Sequence, residues 1–122
     1  MRGLQCNDDP TADAGKRLNW ALGSDMVRAI HSGDEDRFLK WCNESPVFSC
    51  MVRCHAFQLS EPTLIPGTMT RGALAKCLVE VETHVDGGRR AFLWTLQQQR
   101  QPPERWLIYQ VLAVDKAFEM TL

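Results

Sequence analysis

The chain has 122 residues, of which 44% are hydrophobic and 24% charged, and its formal net charge is −1. A chain of this length is expected to form one domain, with a core large enough to be stable without disulfides or metal. Because basic and acidic residues are interspersed and no apolar run is long enough to cross a bilayer, neither nucleic acid nor membrane is expected as a partner.

Helical spacing dominates the first half of the chain. Residues 13–22 carry apolar side chains at helical intervals, and Gly23 can end that helix. Ser32 or Asp34 can cap a second helix that ends near Asn43.

Turn-forming residues separate the remaining segments of this half. Residues 7–10 form a stop cluster, so Leu4 is expected to end a helix that would be longer in a fuller chain. Residues 47–52 suggest a further short helix or turn, which feeds an edge strand over 53–59. Residues 61–67 are expected to form an irregular connection.

Residues 73–114 predict an antiparallel meander of three strands. In the first, Val79 and Val81 alternate with Glu80 and charged neighbours, so one face is buried and the other is wet. Asp86-Gly87-Gly88 tolerates the positive φ of a tight hairpin.

The second and third strands are expected at 91–96 and 106–114, with Pro102-Pro103 in the loop between them. Regular alternation in the third strand leaves an apolar stripe that one layer of helices cannot cover, because one face carries Trp106, Ile108 and Leu112 and the other carries Leu107, Tyr109, Val111 and Ala113. Either the C-terminal tail, residues 116–122, covers this stripe, or the protein is a homodimer that packs sheet against sheet. The interface residues predicted for that homodimer are Leu93, Leu107, Tyr109 and Val111.

Five cysteines without a framework spacing indicate a soluble intracellular protein in a reducing compartment, and the first residues lack a secretory leader. Cys50, Cys54 and His55 supply too few ligands for a tetrahedral metal site, so no metal is predicted. No cofactor is predicted either.

Several motifs along the chain carry a resemblance to a known superfamily. They are Leu4-Gln5-x-Asn7-Asp8-Asp9, Phe38 ahead of Met51-Val52, Phe92-x-Trp94 with Gln99, and Trp106-Leu107-Ile108. With short helices followed by a meander, the chain resembles the nuclear transport factor 2-like superfamily, and within it an uncharacterised branch found in bacteria and in plant and algal plastids. The resemblance implies an α+β fold in which a curved, cone-like sheet is closed by helices, and a location in the plastid or cytoplasm. It implies no chemistry.

The function expected from these patterns is a non-catalytic module that binds a small hydrophobic molecule or a protein. The aromatic residues expected to line a cavity are Trp20, Trp41, Phe57, Trp94 and Tyr109. The alternative is an isomerase, dehydratase or cyclase that uses Asp115 or His55 as a catalytic group, with His55 otherwise a buried core residue. His31 and His84 are expected to be exposed.

Overall fold

The computed structural model describes residues 1–83, 88–100 and 105–114, and these residues form five helices and five strands. The helices are α1 (Arg2–Gln5), α2 (Ala14–Ala21), α3 (Asp25–Ile30), α4 (Glu35–Glu44) and α5 (Phe48–Met51). The strands are β1 (Ala56–Leu59), β2 (Thr63–Ile65), β3 (Leu74–Glu82), β4 (Arg89–Gln98) and β5 (Trp106–Ala113). The expected α+β class is confirmed.

The five strands form one antiparallel sheet in the order β1-β3-β4-β5, and β2 pairs with the same edge of β3 as β1. The predicted meander corresponds to β3, β4 and β5. The residues expected to form the hairpin turn lie largely outside the described residues. The prolines of the next loop, His84 and the C-terminal tail expected as one possible cover of the sheet, residues 116–122, also lie outside them. The expectation of an irregular connection over 61–67 is wrong in part, because Thr63–Ile65 joins the sheet as a three-residue strand.

Alternation along β3 places one of its faces in the core. Val79 and Val81 are buried, whereas Glu80 and Glu82 are exposed. The two valines pack with residues from α1, α4, α5, β4 and β5, so the core lies between the helices and one face of the sheet. No helix of the described residues is long and apolar enough to cross a membrane.

The helices begin where short polar side chains can cap them. Asp34 Oδ1 accepts hydrogen bonds from the backbone N–H groups of Asp36 and Arg37, as one of the two predicted caps requires. Ser24 caps α3 in the same way, through a bond from the backbone of Val27. Sequence periodicity missed α3 because none of its six residues is buried.

A β-bulge interrupts the pairing of β4 with β5. Thr95 lies opposite Gln110, but its neighbour Leu96 lies opposite Ile108, so Tyr109 is an extra residue in β5. An extra residue moves every later side chain to the other face of the strand.

The bulge corrects the predicted faces of the third strand. Val111 lies opposite the buried Trp94 and packs against the core, whereas it was expected on the outer face. Leu112 lies opposite Leu93 on the outer face and is 48% exposed, whereas it was expected on the same face as Ile108. The regular alternation assumed from sequence therefore fails after Tyr109.

The connection between α2 and α3 is bonded to the sheet at one position. The backbone N–H of Ile108 donates to the carbonyl of Leu22 at 2.7 Å, and the backbone N–H of Ser24 donates to the carbonyl of Ile108 at 2.9 Å. This parallel bridge between Gly23 and Ile108 holds both helices over β5. It therefore sets the shape of the space on either side of the bridge.

Candidate ligand pockets

The first candidate site is a pocket between α3, α4 and β5, with a volume of about 240 Å³, which we call the aromatic pocket. Most of the side chains that line it are apolar or aromatic, and His31 and Tyr109 add polar groups. Walls of this composition are typical of sites for small organic molecules.

Four aromatic rings pack together in the wall of the aromatic pocket. The Trp41 ring lies 5.2 Å from that of Phe48 and 4.9 Å from that of His31, centroid to centroid. Phe38 lies 5.3 Å from His31. These distances fall within the range of favourable aromatic pairs, so the wall is held by its own ring contacts.

His31 is partly buried in this wall, which corrects the expectation that it is exposed. Burial lowers the pKa of its imidazole below the usual value, and the nearby charge of Arg37 lowers that pKa further. His31 is therefore held in its neutral form near pH 7, with one ring nitrogen able to donate a hydrogen bond and the other able to accept one.

Large apolar side chains also remain exposed around this pocket. Ile30 is 71% exposed, and Met26 and Trp41 are exposed beside it. A single exposed apolar residue is ordinary, but a group of them around one concave site marks a surface that favours contact with an apolar molecule.

A second pocket, of about 280 Å³, lies between α1, α2 and the inner face of the sheet, and we call it the α2 pocket. Leu18, Leu22 and Trp94 are among its apolar walls. Asn19 and Ile108 line both pockets. Near the bridge between Gly23 and Ile108, the α2 pocket is lined by Leu22 and the aromatic pocket by Met26, so the two pockets lie on opposite sides of the bridge.

The five aromatic residues expected to line one cavity are distributed among different places. Trp41 and Tyr109 line the aromatic pocket, and Trp94 lines the α2 pocket. Phe57 lines a third pocket, of about 250 Å³, beside Glu80 and Arg89, and the Trp20 ring packs against that of Phe38 with 5.4 Å between centroids. The sequence therefore identified aromatic wall residues without showing that they serve separate sites.

The four residues predicted for a dimer interface do not share one face. Leu93 and Leu107 belong to the outer face by register, and Leu107 borders a groove that contains Arg28 and Arg105. Tyr109 and Val111 line the aromatic pocket instead. The bulge at Tyr109 is the physical reason for this correction.

Of the two catalytic candidates, Asp115 lies outside the described residues and His55 is exposed. The backbone N–H of His55 donates to the carbonyl of Glu82, and its own carbonyl accepts from the side chain of Gln5. The expectation of a buried His55 is therefore wrong, because the residue sits on an outer turn before β1. Among residues 1–83, 88–100 and 105–114, no three His, Cys, Asp or Glu side chains are grouped as metal ligands.

Sequence reasoning missed a buried lysine. Lys16 is 2% exposed, and its Nζ lies 3.0 Å from Asp13 Oδ1 and 2.7 Å from Asn43 Oδ1. Its backbone N–H donates to Asn7 Oδ1 at 3.0 Å. The hydrogen bonds from Lys16 and Asn7 hold the pKa of Asp13 below its usual value. These contacts join the loop before α2 to α4, so the Asn7-Asp8 motif has a structural role here.

A scan against protein-family models and searches of curated proteins and of solved structures found no match to this chain.

Proposed function

We propose that this protein binds a small, planar, hydrophobic molecule in the aromatic pocket and does not transform it. The observation that supports this proposal is the group of exposed apolar side chains, Met26, Ile30 and Trp41, around a wall of packed rings. A bound molecule would remove this apolar surface from water, and that transfer is favourable.

The polar groups of the pocket indicate how such a molecule would be oriented. The imidazole of His31 and the phenol of Tyr109 belong to residues of this lining. Each of them can donate or accept a hydrogen bond when neutral. The ligand class that fits is a flat aromatic molecule with one or two polar atoms, for which indole is a suitable probe.

The test is a titration with indole in which the melting temperature of the protein is measured at each concentration, because a ligand that binds the folded state raises that temperature. Ile30→Asp places a charge beside the pocket at a side chain that is already mostly exposed, so the fold should tolerate the change. We expect it to weaken indole binding about tenfold, through the cost of bringing an apolar ring against a carboxylate.

Met69→Asp is the matched control. Met69 is 92% exposed and lies outside the lining of the aromatic pocket, so the same chemical change there should leave the affinity for indole unaltered. Equal binding by wild type and Ile30→Asp, or no binding by the wild type, would contradict the proposal.

We also propose that the protein forms a homodimer through the outer face of its sheet. Leu78, Leu93 and Leu112 form one row across β3, β4 and β5. On β3, Lys76 and Glu80 lie on the same face on either side of Leu78. A two-fold axis along the leucine row brings Lys76 of one copy opposite Glu80 of the other, which supports a second copy as the partner.

Charge exchange tests this arrangement. Lys76→Glu or Glu80→Lys alone should weaken dimerisation by placing like charges opposite each other, and the double exchange should restore it. Sedimentation equilibrium measures the association in all four proteins. A monomeric wild type, or a double exchange that dimerises no better than the single variants, would refute the interface.

We further propose that the domain has the cone-like nuclear transport factor 2-like fold. Support comes from the order of its elements, with helices first and a meander last, and from the packing of those helices on one face of the sheet. An experimental structure of the protein, compared with members of that superfamily, is the test.

A further inference from the structure

We propose that the α2 pocket is a second binding site, which takes a small, uncharged, apolar molecule and holds one hydrogen-bond acceptor of that molecule on the indole N–H of Trp94. The acceptor can be a ketone, ester, ether or hydroxyl oxygen. This site is separate from the aromatic pocket, so the inference does not depend on the function proposed above.

The indole of Trp94 is the first reason. Trp94 is 7% exposed and lines the α2 pocket, and its Nε1 is buried without a hydrogen-bond partner in the described part of the chain. An indole nitrogen can only donate, and a buried donor without a partner is costly and uncommon. An acceptor on a bound molecule removes that cost.

The rest of the lining explains why the molecule should be apolar. Leu18, Leu22, Leu59 and Trp106 contribute large apolar side chains that remain partly or largely exposed, and none of the side chains that line the pocket is charged. The lining side chains therefore offer a charged ligand no opposite charge in return for its lost hydration.

The other polar side chains of the pocket are already engaged. The amide of Asn19 donates to the carbonyl of Gly15 at 2.9 Å, and the thiol of Cys77 donates to the carbonyl of Ser60, with 3.2 Å between sulfur and oxygen. Trp94 Nε1 is thus the buried side-chain nitrogen of this lining that has no partner in the described part of the chain, and one acceptor on the ligand is sufficient to match it.

Acetophenone and cumene are suitable probes, because they have the same number of heavy atoms and a similar size, and acetophenone carries a carbonyl oxygen where cumene carries a methyl group. Trp94→Phe keeps an aromatic ring and removes the N–H. We expect this change to weaken acetophenone binding about fivefold to tenfold, the size of one net hydrogen bond, and to alter cumene binding less than about twofold.

Trp20→Phe is the matched control, since Trp20 lines neither pocket and packs behind Phe38. It should leave the ratio of the two affinities as in the wild type. Equal loss of both probes in Trp94→Phe, or loss of acetophenone alone in Trp20→Phe, would overturn the proposal.

A measurement on the wild type keeps the test decisive if Trp94→Phe does not fold. The indole N–H of Trp94 gives its own signal in a proton–nitrogen correlation spectrum. Acetophenone at saturation should move that signal downfield, and cumene should move it much less. No binding of acetophenone, or saturation that leaves the Trp94 signal in place, would overturn the proposal.

Discussion

Replacing each of two neighbouring residues in β5 by asparagine, in separate variants, provides a direct test of the bulge at Tyr109. We consider Val111→Asn and Leu112→Asn, which make the same kind of change at adjacent positions. Val111 packs against the core opposite Trp94, and Leu112 is 48% exposed on the outer face. The structure therefore predicts unequal costs for the two substitutions.

The expected difference follows from burial. Full burial of a valine side chain stabilises a protein by about 1.5–3 kcal/mol, and Val111 is partly buried, so about 1 kcal/mol is lost with its methyl groups. Placing an amide without partners in that position adds about 1–3 kcal/mol. Val111→Asn should thus cost about 2–4 kcal/mol, whereas Leu112→Asn should cost about 1 kcal/mol or less, since its amide stays in contact with water.

Urea unfolding followed by tryptophan fluorescence measures both free energies of unfolding under identical conditions. Regular alternation without a bulge places Leu112 in the core and Val111 outside. A larger loss of stability for Leu112→Asn than for Val111→Asn would therefore refute the bulge and the corrected outer face.

Two further predictions concern the helices. A Cβ at Gly15 would overlap the carbonyl oxygen of Gly3, so Gly15→Ala should destabilise the protein by about 1–3 kcal/mol despite the better helix propensity of alanine. The nearest atom to a Cβ at Gly3 is a side-chain carbon of Leu18 at 3.2 Å, and the backbone of Gly15 is at ordinary contact distance, so Gly3→Ala should cost less in the same unfolding assay. Because the pKa of His31 is lowered below 6.5 in the folded protein, its contribution to stability is present above that pH and is lost as pH falls through the lowered value. Wild type should therefore lose more stability than His31→Phe between about pH 7 and about pH 5, and parallel losses in the two proteins would contradict the assignment.

Local patterns predicted the parts of the fold that depend on local physics. The alternation through Val79 and Val81 requires only that one face of a strand be buried, and the cap at Asp34 requires only a carboxylate beside the first free N–H groups of a helix. Both were therefore predictable from the sequence alone.

The remaining features depend on contacts between distant segments. The strand Thr63–Ile65 is too short to show a period and exists through its pairing with β3. The bulge at Tyr109 is defined by the register of β5 against β4, which no pattern within β5 reveals. Assigning Tyr109 and Val111 to the outer face followed from treating β5 as a regular strand.

The candidate sites show the same dependence on distant contacts, since segments far apart in the chain line both pockets, and Ile108, which is bridged to Gly23, belongs to both linings. Trp41 and Trp94 are both recognisable as aromatic wall residues, but only the position of the α2–α3 connection over β5 separates the spaces that they line. That separation also gives the two spaces different polar groups. A neutral imidazole lines one, and an indole N–H without a partner in the described part of the chain lines the other. Two ligands of different chemistry are therefore expected to bind this single small domain through different polar groups, with Asn19 and Ile108 belonging to both linings.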